Sequence, residues 1–60
     1  MSDLKTRVLE ALMEDWKSPS QLAVELGVSI EEIKKVLEEV EEDGLVFRDG
    51  PLYLHRLGRR

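Results

Sequence analysis

The sequence predicts a mainly α-helical fold closed by a small β-hairpin: three helices, then a two-stranded ribbon. Three observations predict it. Apolar residues recur at helical spacing in three successive segments. Two serine-led capping boxes, Ser18 to Gln21 and Ser29 to Glu32, each mark a fresh helix start. Asp49-Gly50 lies between two short apolar runs, a strong signal for a two-residue hairpin turn.

The first helix is expected from about Ser2 to Trp16. Leu4, Val8, Leu12 and Trp16 follow one another at i+4 steps, with Leu9, Ala11 and Met13 widening the stripe. Trp16 therefore reads as core rather than as an exposed anchor. Ser2 or Asp3 caps the start. Lys17-Ser18-Pro19 ends the helix, because the residue before a proline avoids the α region.

The second helix starts with Ser18 at the N-cap, Pro19 at the first helical position and Gln21 at the third. It runs to about Leu26 with Leu22, Ala23 and Leu26 inward, and Gly27 closes it in the left-handed conformation. The third helix repeats the pattern. Ser29 caps it, Glu32 completes the box, and Val28 and Ile33 form a hydrophobic staple. Its inward stripe is Ile30, Ile33, Val36, Leu37 and Val40, and Gly44 stops it. Glu41, Glu42 and Asp43 place three negative charges at the negative end of the helix dipole. Arg48 or Arg56 are their expected partners.

Leu45 to Arg48 and Leu52 to His55 read as the two strands. A loop at Asp49-Gly50 pairs Arg48 with Pro51, Phe47 with Leu52, Val46 with Tyr53 and Leu45 with Leu54. Leu45, Phe47, Leu52 and Leu54 then form an apolar face toward the helices. Val46, Arg48, Tyr53 and His55 form a mixed face, where Val46 and Tyr53 are candidates for a partner or dimer contact. A one-residue slip exchanges the faces and makes Val46 and Tyr53 core. Residues 1–57 read as one domain and 58–60 as a basic C-terminal tail.

Composition bounds the chemistry. Sixty residues, 42% of them apolar, make one small core that is marginal alone. There is no cysteine and one histidine, so no disulfide and no thiolate or histidine-rich metal site is expected, and no cofactor. His55 reads as surface or hydrogen-bonded filler. No apolar run approaches the roughly 20 residues that cross a bilayer. Asp3 and the lack of an apolar signal core argue against secretion, so a cytoplasmic protein is expected. No phosphate loop, nucleophile elbow or catalytic constellation occurs, so no enzyme is expected. Glu, Lys and Arg are plentiful and Asn is absent, which leans toward a heat-adapted source.

The net charge of −4 is uneven. Residues 1–43 carry five bases and twelve acids; residues 44–60 carry four bases and one acid. An acidic body with a basic end suggests an interaction surface.

The join of the second and third helices is the most specific feature. Ala23 lies four positions before Gly27, and Ile33 and Val36 follow six and nine after it. Two helices crossing steeply through a short turn need a small residue at the crossing and positive φ in the turn. At these residues the sequence resembles the winged helix-turn-helix family of DNA-binding regulators. Glu42-Asp43-Gly44-Leu45-Val46 followed by Arg48 resembles the family's entry into its wing. The likeness spans Leu4 to His55.

The resemblance implies a small transcriptional regulator that places its third helix in the major groove of double-stranded DNA and touches the backbone with the wing. By position, Ser29, Glu31, Lys34 and Lys35 on the third helix and Arg48 and Arg56 near the wing become candidate DNA contacts. Ser18, Ser20 and Gln21 become candidate phosphate contacts. A homodimer would double the phosphate contacts. The sequence departs from the family in one respect: residues 29–43 hold seven acids against two lysines. That charge favours the alternative, a protein-interaction module whose acidic third helix or hairpin face meets a basic protein partner and no DNA.

Bland readings stand beside these. Lys34 and Lys35 fit an i,i+4 ladder, Glu31–Lys35, Lys34–Glu38 and Lys35–Glu39, each worth about 0.2–0.5 kcal/mol. The ladder weighs more than DNA contact for these two. For Arg48, pairing with the acids of the third helix weighs the same as DNA contact. Arg59 and Arg60 read as a solubilising tail end before a phosphate-gripping arm.

Overall fold

A computed structural model describes residues 3–58. The order is α1 (Leu4–Glu14), α2 (Pro19–Leu26), α3 (Ile30–Glu42), β1 (Val46–Asp49) and β2 (Leu52–His55). This is the expected architecture of three helices and an antiparallel ribbon, in a winged-helix-like arrangement.

Asp3 is the α1 cap: its carboxylate accepts from the Thr6 N–H at 3.0 Å. That bond holds the Asp3 carboxyl below its ordinary value of 3.8, as expected for an acceptor favoured in its charged form. The helix ends two residues earlier than its apolar spacing suggests. Asp15 is fully extended, and its side chain accepts from the Trp16 N–H at 2.8 Å. Trp16 thus leaves the helical stripe. It is half-buried and lies outside the main core cluster, which corrects the reading of it as core.

What pulls the chain away is a contact that local spacing does not announce. Lys17 and Tyr53 form an antiparallel bridge, each N–H donating to the other's carbonyl at 2.9 Å. The loop between α1 and α2 thereby becomes a one-residue third strand beside β2.

Both capping boxes form as expected. The Ser18 hydroxyl accepts from the Gln21 N–H at 3.2 Å, and the Ser29 hydroxyl accepts from the Glu32 N–H at 3.2 Å. Between them Gly27 takes φ +69°. A Cβ there would meet nothing within 4 Å, so the demand is for the dihedral and not for space. At the far end of α3, Leu45 N–H donates to Val40 O at 2.9 Å and Gly44 N–H to Glu41 O at 3.0 Å. These two bonds are a Schellman ending.

The core is built by one or more residues from each helix and the ribbon. Val8, Leu12, Leu22, Ile33, Val40 and Leu54 are fully buried, with Ala11, Leu37 and Val46 nearly so. Each large side chain contributes about 1.5–3 kcal/mol by leaving water. Ala23 packs against this cluster at the α2–α3 crossing.

The hairpin register differs from the expected one. Val46 pairs with His55, Phe47 with Leu54, Arg48 with Tyr53 and Asp49 with Leu52. The turn is therefore Gly50-Pro51 and not Asp49-Gly50. An Asp-Gly turn of the I′ type needs positive φ at both residues, and Asp49 does not have it. Gly50 alone does, at +62°, and proline supplies the negative φ that follows in a type II′ turn. Pro51 thus leaves the ladder, where its missing N–H would have cost a bond.

Moving the turn by one residue changes every partner but keeps each residue on its expected face. The burial of those faces is what changes. Val46 belongs to the core cluster and Tyr53 packs against it, whereas Phe47 is 42% exposed. The face expected to be mixed and outward supplies core, alongside Leu54 from the other face. Of the expected tail, Gly58 is half-buried and its N–H donates to His55 O at 2.8 Å. Ser2, Arg59 and Arg60 lie outside the described residues.

Candidate nucleic-acid interface

The start of α2, the outer side of α3 and the hairpin meet around a groove of about 280 Å³ lined by Pro19, Lys34, Leu37, Glu38, Glu41, Arg48 and Tyr53. Lys34, Glu38 and Glu41 stand at i, i+4 and i+7 on α3, so one helical face forms the wall. Arg48 and Tyr53 are paired across the ribbon and form the other side.

Arg48 is the centre of the arrangement. Its Nη1 lies 3.7 Å from Glu41 Oε2, its guanidinium sits 5.8 Å from the centroid of the Tyr53 ring, and its Nε donates to Gly50 O at 3.4 Å. The expected pairing with the acids of α3 is present. The Arg48 side chain is still 56% exposed, so the pair leaves the cation open to a second partner.

The helix-three lysines behave differently from the favoured expectation. Among the described residues, no ion pair joins Lys34 or Lys35 to a glutamate, and the i,i+4 ladder does not close. Both lysines are exposed. Lys34 lines the groove and Lys35 does not.

The remaining candidates divide by how occupied they are. The Ser29 hydroxyl both accepts from the Glu32 N–H and donates to Glu32 Oε1 at 3.2 Å, so the cap uses both capacities. At the α2 cap Ser18 Oγ accepts from the Gln21 N–H and Gln21 Oε1 accepts from the Ser18 N–H at 3.5 Å. Ser20 and Glu31 are exposed on the first turns of α2 and α3. Arg56 lies outside the groove; its Nη1 donates to Gly44 O at 3.5 Å and its N–H to Leu45 O at 2.9 Å, closing the exit of α3. Val46 and Tyr53 face their own chain's core and groove rather than a free surface.

Two pairings around this frame escaped sequence reasoning. Lys5 Nζ reaches Asp43 Oδ2 at 3.1 Å and answers one of the three charges at the end of α3. Lys17 is buried, with Nζ 2.8 Å from Glu25 Oε2 and 3.2 Å from Glu14 Oε1. The Glu25 bond raises the Lys17 ammonium above its ordinary 10.5, against the opposing cost of burial. Glu14, three residues back, is close enough in sequence to have signalled a pair; Glu25, on α2, is not.

Next to the groove, and sharing Glu38 and Glu41 with it, Glu38, Glu39, Glu41 and Glu42 border an acidic depression of about 380 Å³. Among the described residues no cluster of three metal-ligating side chains occurs, and no helix is long and apolar enough to cross a membrane.

A family model described as the N-terminal domain of methanogenesis regulatory protein FilR1 matches residues 1–59. The chain belongs to that family. The match covers all three helices and the ribbon, so the groove lies wholly within the family domain. The family is a regulatory one by its description. Searches of curated proteins and of solved structures returned no match.

Proposed function

We propose that this chain is the double-stranded-DNA-binding domain of a transcriptional regulator acting in the cytoplasm, with α3 and the hairpin against the duplex. The observation that carries the reading is the groove: Lys34 and Arg48, from two different elements, converge beside the N-terminus of α2. Lys34 and Lys35 support it, because neither has an ion-pair partner among the described residues. Lys34, Lys35 and Arg48 position the domain on phosphates, Ser20 adds a contact from the start of α2, and Glu31 accepts from a cytosine amino group. Ser18, Gln21 and Ser29 hold the helix starts and offer only their remaining hydrogen-bonding capacity. Arg56 contributes from the edge of the wing.

One such domain supplies few phosphate contacts, so we propose that it works as a homodimer, doubling them. Sedimentation at high concentration tests this, and a monomer there contradicts it. Titration with random-sequence duplex at about 50 mM and 200 mM salt tests DNA binding itself. Binding that falls steeply between the two is expected, because phosphate contacts release counterions. No binding at the lower salt contradicts the proposal.

A second reading is favoured by the acidic depression of Glu38, Glu39, Glu41 and Glu42. In it α3 meets a basic protein partner. The same titration separates the two, since that module ignores duplex at either salt.

A further inference from the structure

We propose that Glu41 sets the affinity of this domain for DNA by competing with phosphate for Arg48, so that nonspecific duplex is held weakly. The inference rests on the DNA-binding reading above and names a control within that same surface.

The geometry makes the competition direct. Arg48 is held from three sides, by Glu41 at 3.7 Å, the Tyr53 ring at 5.8 Å and Gly50 O at 3.4 Å. The Tyr53 ring and Gly50 O carry no net charge; among the described residues Glu41 is the carboxylate paired with Arg48. At 3.7 Å the pair is longer than a charge-assisted hydrogen bond, which falls near 2.7–2.9 Å. Both partners are open to water, the Glu41 side chain at 42% and Arg48 at 56%. A phosphate presenting two oxygens to the guanidinium displaces such a contact.

Displacement does not remove the carboxylate. Glu41 is fixed to the α3 wall, one turn beyond Glu38, and both line the groove that a phosphate must enter to reach Arg48 or Lys34. Two cations and two anions leave the groove with no net charge. A phosphate seated there is attracted by Lys34 and Arg48 and repelled by Glu38 and Glu41, whatever the DNA sequence. The penalty falls on every duplex alike, so nonspecific duplex is held weakly and discrimination is left to contacts with base edges.

The test is salt-dependent binding of random-sequence duplex by the wild-type chain, Glu41→Gln, Glu39→Gln, Arg48→Ala and the Glu41→Gln/Arg48→Ala pair. Glu39 lies outside the groove and controls for overall charge. The expected result is that Glu41→Gln binds roughly three- to tenfold more tightly at about 50 mM salt. Its salt dependence steepens by up to about one unit in log–log slope. Glu39→Gln gains less, and the Glu41→Gln gain shrinks when Arg48 is absent. If the wild type binds but Glu41→Gln is no tighter than it, or no tighter than Glu39→Gln, this proposal is overturned and the DNA-binding reading stands. A Glu41→Gln gain undiminished in the Arg48→Ala background overturns the competition for Arg48. If neither the wild type nor Glu41→Gln binds at the lower salt, both readings fall together.

Discussion

The α2–α3 half of the molecule and the ribbon half are held by different kinds of contact. Between Ser18 and Gly44 each boundary is closed by residues a few positions apart: two capping boxes, one left-handed glycine and one Schellman ending. The ribbon half is fixed from a distance. Lys17 bridges Tyr53, Arg48 reaches Glu41, and Lys17 joins Glu25. Local chemistry thus sets the angle at which α3 is presented, while long-range contacts set where the ribbon stands beside it. The groove needs both.

The comparison can be strained first at its cores. Ile33→Ala in the helical half and Leu54→Ala in the ribbon half should each cost about 2–5 kcal/mol in urea unfolding, since both side chains are fully buried. A loss below about 1 kcal/mol at Leu54 would mean that the ribbon is not packed as described.

Next in size is the buried lysine. Lys17→Met removes Nζ from Glu25 and Glu14 but leaves both carboxylates partly in water. A destabilisation of about 1–3 kcal/mol is expected, below the cost of stranding a fully buried charge. Tyr53 amide hydrogen exchange should quicken with it, because the bridge to Lys17 loses its anchor. Unchanged exchange would detach the side chain from the bridge.

Loss of a cap is smaller. Ser29→Ala is expected to cost about 0.5–2 kcal/mol, read by thermal unfolding, with the ribbon's exchange rates unmoved. An effect reaching the ribbon would erase the division between local and distant control.

This division also explains what was legible in the sequence. The three helices, both caps, the stop at Gly44 and the pivot at Gly27 were readable because each is decided within a few residues. Trp16 was misread because helical spacing continues through it, while the Asp15 turn and the Lys17 bridge interrupt the helix. The hairpin turn was misplaced by one residue because Asp-Gly is the stronger dipeptide signal, yet Pro51 is better accommodated at the corner than in the ladder. Arg48 and its acidic partner were legible; Lys34 was legible only as a candidate contact, because the spacing favours an i,i+4 ladder that does not close among the described residues.

The smallest expected effect is at high pH. The Lys17 ammonium is held above 10.5, so its contribution is fully present below that value and is lost as pH rises through its folded value. Stability followed from pH 9 upward by urea unfolding should fall above about 10.5. In Lys17→Met that component of the fall should vanish.

In the proposed function Lys34 and Arg48 hold DNA phosphates together from one groove. The direct measurement is binding of random-sequence duplex at about 50 mM salt by the wild type and by the Lys34→Ala/Arg48→Ala pair. The paired variant is expected to bind at least about tenfold more weakly, with a shallower salt dependence. Equal binding by the two proteins would contradict it.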